Sequence, residues 1–150
     1  MIQPRLTKIK STLAKKMAAH GGLTVAEATS RAEAGLESHR EAGMRALAIT
    51  LGQLETACAM REPGSEPKVY ELAAALLDMA GFFETGPLYA AAFSLCEVSD
   101  HMLAAQTWDW PSAAVHVRAL RLILTDGCQD GESSRLVLEG LATVALRWTR

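Results

Sequence analysis

Apolar residues recur every three or four positions along this chain, in segments that are separated by prolines. This spacing places apolar side chains on one side of an α-helix. The composition agrees, because 26 alanines outnumber the 11 valines and isoleucines that a sheet would favour. No segment of convincing length shows the alternation of a β-strand. The sequence therefore predicts an all-α fold.

Turn and capping residues divide the chain into five predicted helices. Thr24 and Glu27 have the spacing of a capping box at the start of the first helix. Proline is tolerated in the first turn of a helix, so Pro67, Pro87 and Pro111 are read as helix starts. The predicted helices cover residues 24–59, 67–83, 88–105, 111–125 and 133–148.

The first predicted helix is the longest and carries two glycines, Gly35 and Gly43. Glycine weakens a helix interior, so these positions indicate a bend or a break. The apolar stripe of this helix comprises Leu36, Leu47, Leu51, Leu54 and Cys58.

Short connections between successive helices favour antiparallel neighbours. We therefore expect an up-down four-helix bundle with a basic N-terminal extension and an extra C-terminal helix. Residues 1–22 form the basic arm in this interpretation, and residues 23–150 form the helical bundle domain.

Charge is distributed unevenly, although the net charge is only −2. Residues 1–20 contain five basic residues and no acidic one, whereas the remaining chain is acidic. Leu6, Ile9, Leu13 and Met17 also recur at helical spacing, so the arm could be an amphipathic helix. It could also be a partly ordered tail that keeps the protein soluble or docks on the acidic body, or it could recognise a partner. An acidic body repels phosphates, so we do not expect nucleic-acid binding.

The longest stretch without a charged residue, 85–96, is too short to cross a bilayer. No apolar run of leader length follows the basic start, so we expect no membrane insertion and a cytoplasmic protein. Three cysteines without a Cys-x-x-Cys pattern do not predict a disulfide scaffold or a zinc site. The spacing of the histidines does not indicate a metal site either, and we expect no cofactor.

Residues 73–100 read AAALLDMAGFFETGPLYAAAFSLCEVSD. This segment resembles the central helical hairpin of histidine-phosphotransfer (HPt) domains. Leu76, Ala80 and Phe83 match packing positions of that hairpin, residues 84–86 match its turn, and residues 96–97 fall in the helix that follows. The resemblance implies a four-helix bundle that works in two-component signalling.

The positions that carry the chemistry of HPt domains differ in this chain. Ala74 stands where the family has its phospho-accepting histidine, Leu77 where it has lysine, and Asp78 where it has glycine. The alanine side chain has no nucleophilic atom, and the Asp78 carboxylate would repel a phosphoryl group. The resemblance therefore supports the hairpin but not the phosphotransfer reaction.

A second resemblance extends over most of the chain. The basic start and residues 21–28, 76–83, 89–100 and 108–122 are similar to the CheE family of bacterial chemotaxis-operon proteins. This resemblance implies that the protein works alongside components of chemotaxis or of another two-component signalling pathway.

These features together predict a non-catalytic HPt-like module that binds a response-regulator receiver domain or a histidine kinase. Tyr70, Ala74, Leu77 and Gly81 share one helix side and form the predicted docking strip, with Arg118 and Arg121 as rim charges. The same strip could instead be covered by the arm, the last helix or a second copy of the chain.

Two alternatives stay open at this point. His116 lies near Arg118 and Arg121, so it could be a relocated phospho-acceptor. It could also be a boundary histidine with one nitrogen hydrogen-bonded and its ring half-packed. The other alternative is a homodimeric helical adaptor that recognises its partner through the basic arm.

Overall fold

A computed structural model of the protein describes residues 21–149. The basic arm predicted for residues 1–22 lies almost entirely outside this range. Within the described residues the regular structure is helical, without a β-strand, so the all-α prediction is confirmed. The helices are α1 (Val25–Met60), α2 (Glu66–Phe82), α3 (Pro87–Ala104), α4 (Trp110–Thr125) and α5 (Glu132–Ala145).

The predicted capping box starts α1. The Thr24 backbone N–H and hydroxyl both donate to Glu27 Oε2, at 2.8 and 2.9 Å. The Glu27 N–H donates in return to Thr24 Oγ1 at 3.2 Å. These bonds satisfy donors that the first helical turn leaves free, and they hold the pKa of Glu27 below its ordinary value.

The helix α1 runs without a break through Gly35 and Gly43, so a break at either glycine is excluded. Gly43 is buried and faces the ring of Phe83, where a Cβ atom would overlap the aromatic carbons. The absence of a side chain at Gly43 therefore permits close packing of the Phe83 ring against α1. Leu36, placed by the sequence in the apolar stripe, is 70% exposed.

Contacts divide the chain into two units, Met1–His39 and Arg40–Arg150. In the first unit the described residues, 21–39, are all exposed. The second unit contains the hydrophobic core, to which each helix contributes. Its fully buried large side chains are Leu47, Leu51, Leu54, Val69, Leu76, Leu88, Leu95, Val98, Met102, His116, Leu120 and Leu141.

Within the second unit, α3 packs against α2, α4 and α5, and α4 also packs against α5. The C-terminal part of α1 lies beside α2, since one cavity is lined by Lys68 and Leu72 together with Gln53, Thr56, Ala57 and Met60. It also lies beside α4, because Glu55 is hydrogen-bonded to Arg121.

The turn before α4 closes one end of the core. The Asp109 carboxylate caps α4 by accepting the Ser112 N–H at 3.0 Å. The rings of Trp108 and Trp110 meet edge to face with centroids 5.5 Å apart, and both rings pack on the core. Ser65 occupies the N-cap position of α2, but its hydroxyl donates to the Glu62 carbonyl instead of capping the helix.

None of the helices in the described part of the chain is both long and apolar enough to cross a bilayer.

Candidate functional site

The strip predicted on α2 forms one surface with residues of α3. We call this surface the α2–α3 face, and it comprises Tyr70, Ala74, Leu77, Gly81, Tyr89, Phe93 and Cys96. The helices α2 and α3 are in close contact at Gly81, because a Cβ atom there would lie 3.3 Å from Tyr89 Cε2. Phe93 and Cys96 lie one and two turns beyond Tyr89, on the same side of α3.

The α2 part of this face is only half exposed. Tyr70, Ala74 and Leu77 are of intermediate burial, and Leu77 packs against the core, whereas Gly81 is exposed. At the Gly81 end the two helices border a cavity of about 450 Å³. The residues that line it are Ala80, Gly81, Glu84, Thr85, Gly86 and Tyr89.

The aromatic residues of α3 provide most of the exposed apolar surface of the face. Tyr89 is 44% exposed and Phe93 is 51% exposed. Sequence reasoning missed both residues, although their spacing of four positions on the side opposite Leu88 and Leu95 was a usable signal. Large apolar groups that stay exposed beside a well-packed core are typical of a protein contact.

The charges around the α2–α3 face are acidic. The helices α2 and α3 contain a single lysine and no arginine, and this Lys68 pairs with Glu71 at 3.3 Å. Asp78 and Glu97 are exposed beside the face. The face therefore offers no free guanidinium or ammonium group to a phosphoryl group.

No residue of the α2–α3 face is an activated nucleophile. The side chain of Ala74 is only a methyl group. Burial, together with the charge of Asp78, raises the pKa of the Cys96 thiol to about 11. Since the thiolate is the reactive form, Cys96 remains an unreactive thiol at neutral pH.

The two predicted rim arginines belong to a different helix pair. Arg118 and Arg121 line a cavity between α1 and α4, to which neither α2 nor α3 contributes. Arg121 donates two hydrogen bonds to the Glu55 carboxylate, Nε to Oε1 at 2.7 Å and Nη2 to Oε2 at 2.6 Å. The structure does not join these arginines to the docking strip, so their role in the same contact stays a prediction.

His116 is fully buried, which corrects the expectation of a half-packed boundary residue. Its Nδ1 lies 2.8 Å from the Ser112 carbonyl oxygen, and its Nε2 lies 3.0 Å from Ser94 Oγ. Burial lowers its pKa below the ordinary value. Because both ring nitrogens are hydrogen-bonded and inaccessible, this arrangement presents no acceptor atom to a phosphoryl donor.

Among residues 21–149, no cluster of three or more histidine, cysteine, aspartate or glutamate side chains has a metal-binding arrangement. Comparison of the chain with protein-family models, with curated proteins and with solved structures found no match.

Proposed function

We propose that this chain is a non-catalytic HPt-like signalling module that binds a receiver domain or a histidine kinase through the α2–α3 face. The observation that carries the proposal is the exposed pair Tyr89 and Phe93 beside the α2 strip, on a face without a histidine or an activated nucleophile. Such a face can bind a protein but has no histidine to accept a phosphoryl group.

The proposed architecture is an up-down four-helix bundle with α5 added. It is supported by the neighbours of each helix, because α1 borders α2 and α4, while α3 borders the same two helices. The end of α1 borders the start of α2, and Gly43 lies beside Phe83 at the end of α2. These two contacts support an antiparallel arrangement of α1 and α2, as an up-down bundle requires.

The charges support binding without phosphotransfer. In a phosphorelay, a cation near the acceptor offsets the charge of the phosphoryl group. Here the corresponding position is Leu77, and the neighbouring Asp78 adds a negative charge. This combination suits an apolar protein contact with an acidic rim.

The test is a binding measurement by calorimetry against a panel of purified receiver domains and histidine kinases. We expect one partner to bind the unchanged chain and to lose at least tenfold in affinity for Phe93→Glu, because a buried interfacial carboxylate is costly. Phe93 is half exposed, so the variant should fold normally, which a thermal melt checks.

The matched control is Leu136→Glu, which places the same charge at a comparably exposed leucine of α5. It should bind the partner as the unchanged chain does. Equal binding by Phe93→Glu, or binding by none of the panel, would contradict the proposal.

A second experiment separates binding from phosphotransfer through His116. The protein is incubated with phosphoramidate, a small phosphoryl donor, and its intact mass is recorded beside that of His116→Ala. We expect no phosphoryl adduct on either protein. An acid-labile adduct that disappears in the variant would instead establish active phosphotransfer.

A third experiment tests recognition by the basic arm. Deleting residues 1–20 should leave partner binding unchanged if the α2–α3 face is the contact. Binding that is lost on deletion, and that weakens steeply with salt, would favour the adaptor alternative.

A further inference from the structure

A cavity of about 550 Å³ lies between α1 and α4, separate from the α2–α3 face. We call the small and apolar residues of its lining the floor. Among them Cys58 and Val117 are buried, whereas Leu122 is 61% exposed. The complete lining is Glu55, Cys58, Ala59, Arg61, Ala114, Val117, Arg118, Arg121 and Leu122.

Three arginines and one glutamate surround this apolar floor. The single carboxylate, Glu55, is held by Arg121 in a two-bond ion pair. Arg61 and Arg118 are exposed and have no ion-pair partner among residues 21–149. The lining therefore carries a net positive charge, because the single glutamate neutralises only one of the three arginines.

Arg61 is placed near the floor by the end of α1. It follows Met60 in a left-handed conformation, with φ of 50°, and its N–H donates to the Ala57 carbonyl at 3.1 Å. Its charge acts on the Cys58 thiol and opposes the burial that raises the pKa of that group to about 11. A cation is thus close to the apolar surface.

We propose that this cavity binds a small organic anion, namely an aromatic or acyl carboxylate, sulfonate or phosphate. The volume is in the range of about 300–1,000 Å³ that small-molecule sites occupy. The apolar body of the ligand would lie on the floor, and the planar guanidinium groups of Arg61 and Arg118 would hold its acidic group. This site is separate from the α2–α3 face, because none of its lining belongs to that face.

The test uses two matched probes on the full chain. One is 8-anilinonaphthalene-1-sulfonate, an aromatic anion, and the other is N-phenyl-1-naphthylamine, which has the same rings without the sulfonate. Their binding is followed by fluorescence, and the stoichiometry by calorimetry. We expect one molecule of the sulfonate per chain, with at least about tenfold tighter binding than the neutral probe, since charge-assisted hydrogen bonds are strong.

Three variants assign the binding to this cavity. Arg118→Gln and Arg61→Gly should each weaken binding of the sulfonate about tenfold and leave binding of the neutral probe unchanged. Arg61→Gly should also fold, because glycine accommodates the left-handed conformation. Glu55→Gln should tighten binding of the sulfonate, because it releases Arg121 from its internal counterion. A mere loss of structure would weaken binding instead.

Phe93→Ser on the α2–α3 face is the control and should bind the sulfonate as the unchanged chain does. Three results would overturn the proposal. They are equal affinity for the two probes, unchanged affinity in both arginine variants, and loss of binding in Phe93→Ser alone.

Discussion

A single buried histidine connects α3 and α4. The Ser112 carbonyl can only accept, so His116 Nδ1 carries the proton and donates. In neutral His116, Nε2 is then the acceptor, and the Ser94 hydroxyl donates to it. Burial in the core opposes a second proton on the ring, which is why the pKa of His116 is lowered.

This arrangement makes stability depend on pH. As pH falls below about 6.5, the ordinary histidine value, the unfolded chain takes up a proton that the folded chain resists. The stabilisation is therefore complete above pH 6.5 and is lost as pH falls through the lower folded pKa. Urea unfolding between pH 7.5 and 5 should show this decrease, with a smaller slope in His116→Gln. A free energy of unfolding that increases as the pH falls from 7.5 to 5 would contradict this explanation.

Gln106 ends α3 in a conformation that usually belongs to glycine, with φ of 52°. Its N–H donates to the Leu103 carbonyl and the Thr107 N–H to the Met102 carbonyl, which is the Schellman pattern of helix termination. A Cβ atom is strained in this region, so Gln106→Gly should stabilise the fold by about 0.5–1 kcal/mol. Thermal and urea unfolding measure the change. Gln106→Ala keeps the Cβ atom and should bring no such gain; equal stabilisation by both variants would refute the explanation.

At the scale of the element, two glycines of α1 have opposite roles. Gly43 faces the Phe83 ring, whereas a Cβ atom at Gly52 would meet nothing within 4 Å. Gly43→Ala should therefore cost about 1–3 kcal/mol, because the ring must shift from its packed position. Gly52→Ala should gain about 0.5–1 kcal/mol, because alanine is the better helix former.

Chemical denaturation of the two variants measures this contrast. The two residues share one helix, so a general effect of alanine on α1 would give both variants the same sign. Stabilisation by Gly43→Ala would show that Phe83 moves away freely and that the close packing is not needed.

The two sides of α3 explain how one helix serves both the core and the candidate site. Alanines at positions 91 and 92 and leucines at 88 and 95 are fully buried. Tyr89 and Phe93 project on the remaining side, where they are 44% and 51% exposed, and Tyr89 lies beside Gly81 of α2. The small buried residues permit close packing of neighbouring helices, and the aromatic residues provide exposed area for a partner.

At the scale of the whole molecule, burial begins abruptly along the chain. Every described residue from 21 to 42 is exposed, and the first buried residue is Gly43. A chain of residues 40–150 should therefore keep its cooperative thermal transition, with a midpoint within about 3 °C of that of the full chain. Circular dichroism measures this directly. A large decrease in the midpoint would show that residues 1–39 stabilise the core.

Much of the candidate site could be anticipated from the sequence, but not its extent. Helical spacing placed Tyr70, Ala74, Leu77 and Gly81 on one side of α2. Spacing within one helix cannot show which neighbouring helix borders that side, so only the packing of α2 on α3 placed Tyr89 beside Gly81. Arg118 and Arg121 were assigned to the same strip for the same reason, although they line a cavity with α1.

The sequence by itself determined the local features, because capping, helical periodicity and proline placement act over a few residues. The Thr24–Glu27 capping box, the α-helical class and most helix ends follow from such short-range chemistry. Tertiary structure decided what depends on residues far apart in the chain. Only the packed structure shows that Gly43 lies against the Phe83 ring. Only the packed structure shows that His116, which the sequence leaves open as a phospho-acceptor or a boundary residue, is buried and hydrogen-bonded to Ser94. Long-range packing determines which side chains meet, and no pattern within one helix contains that information.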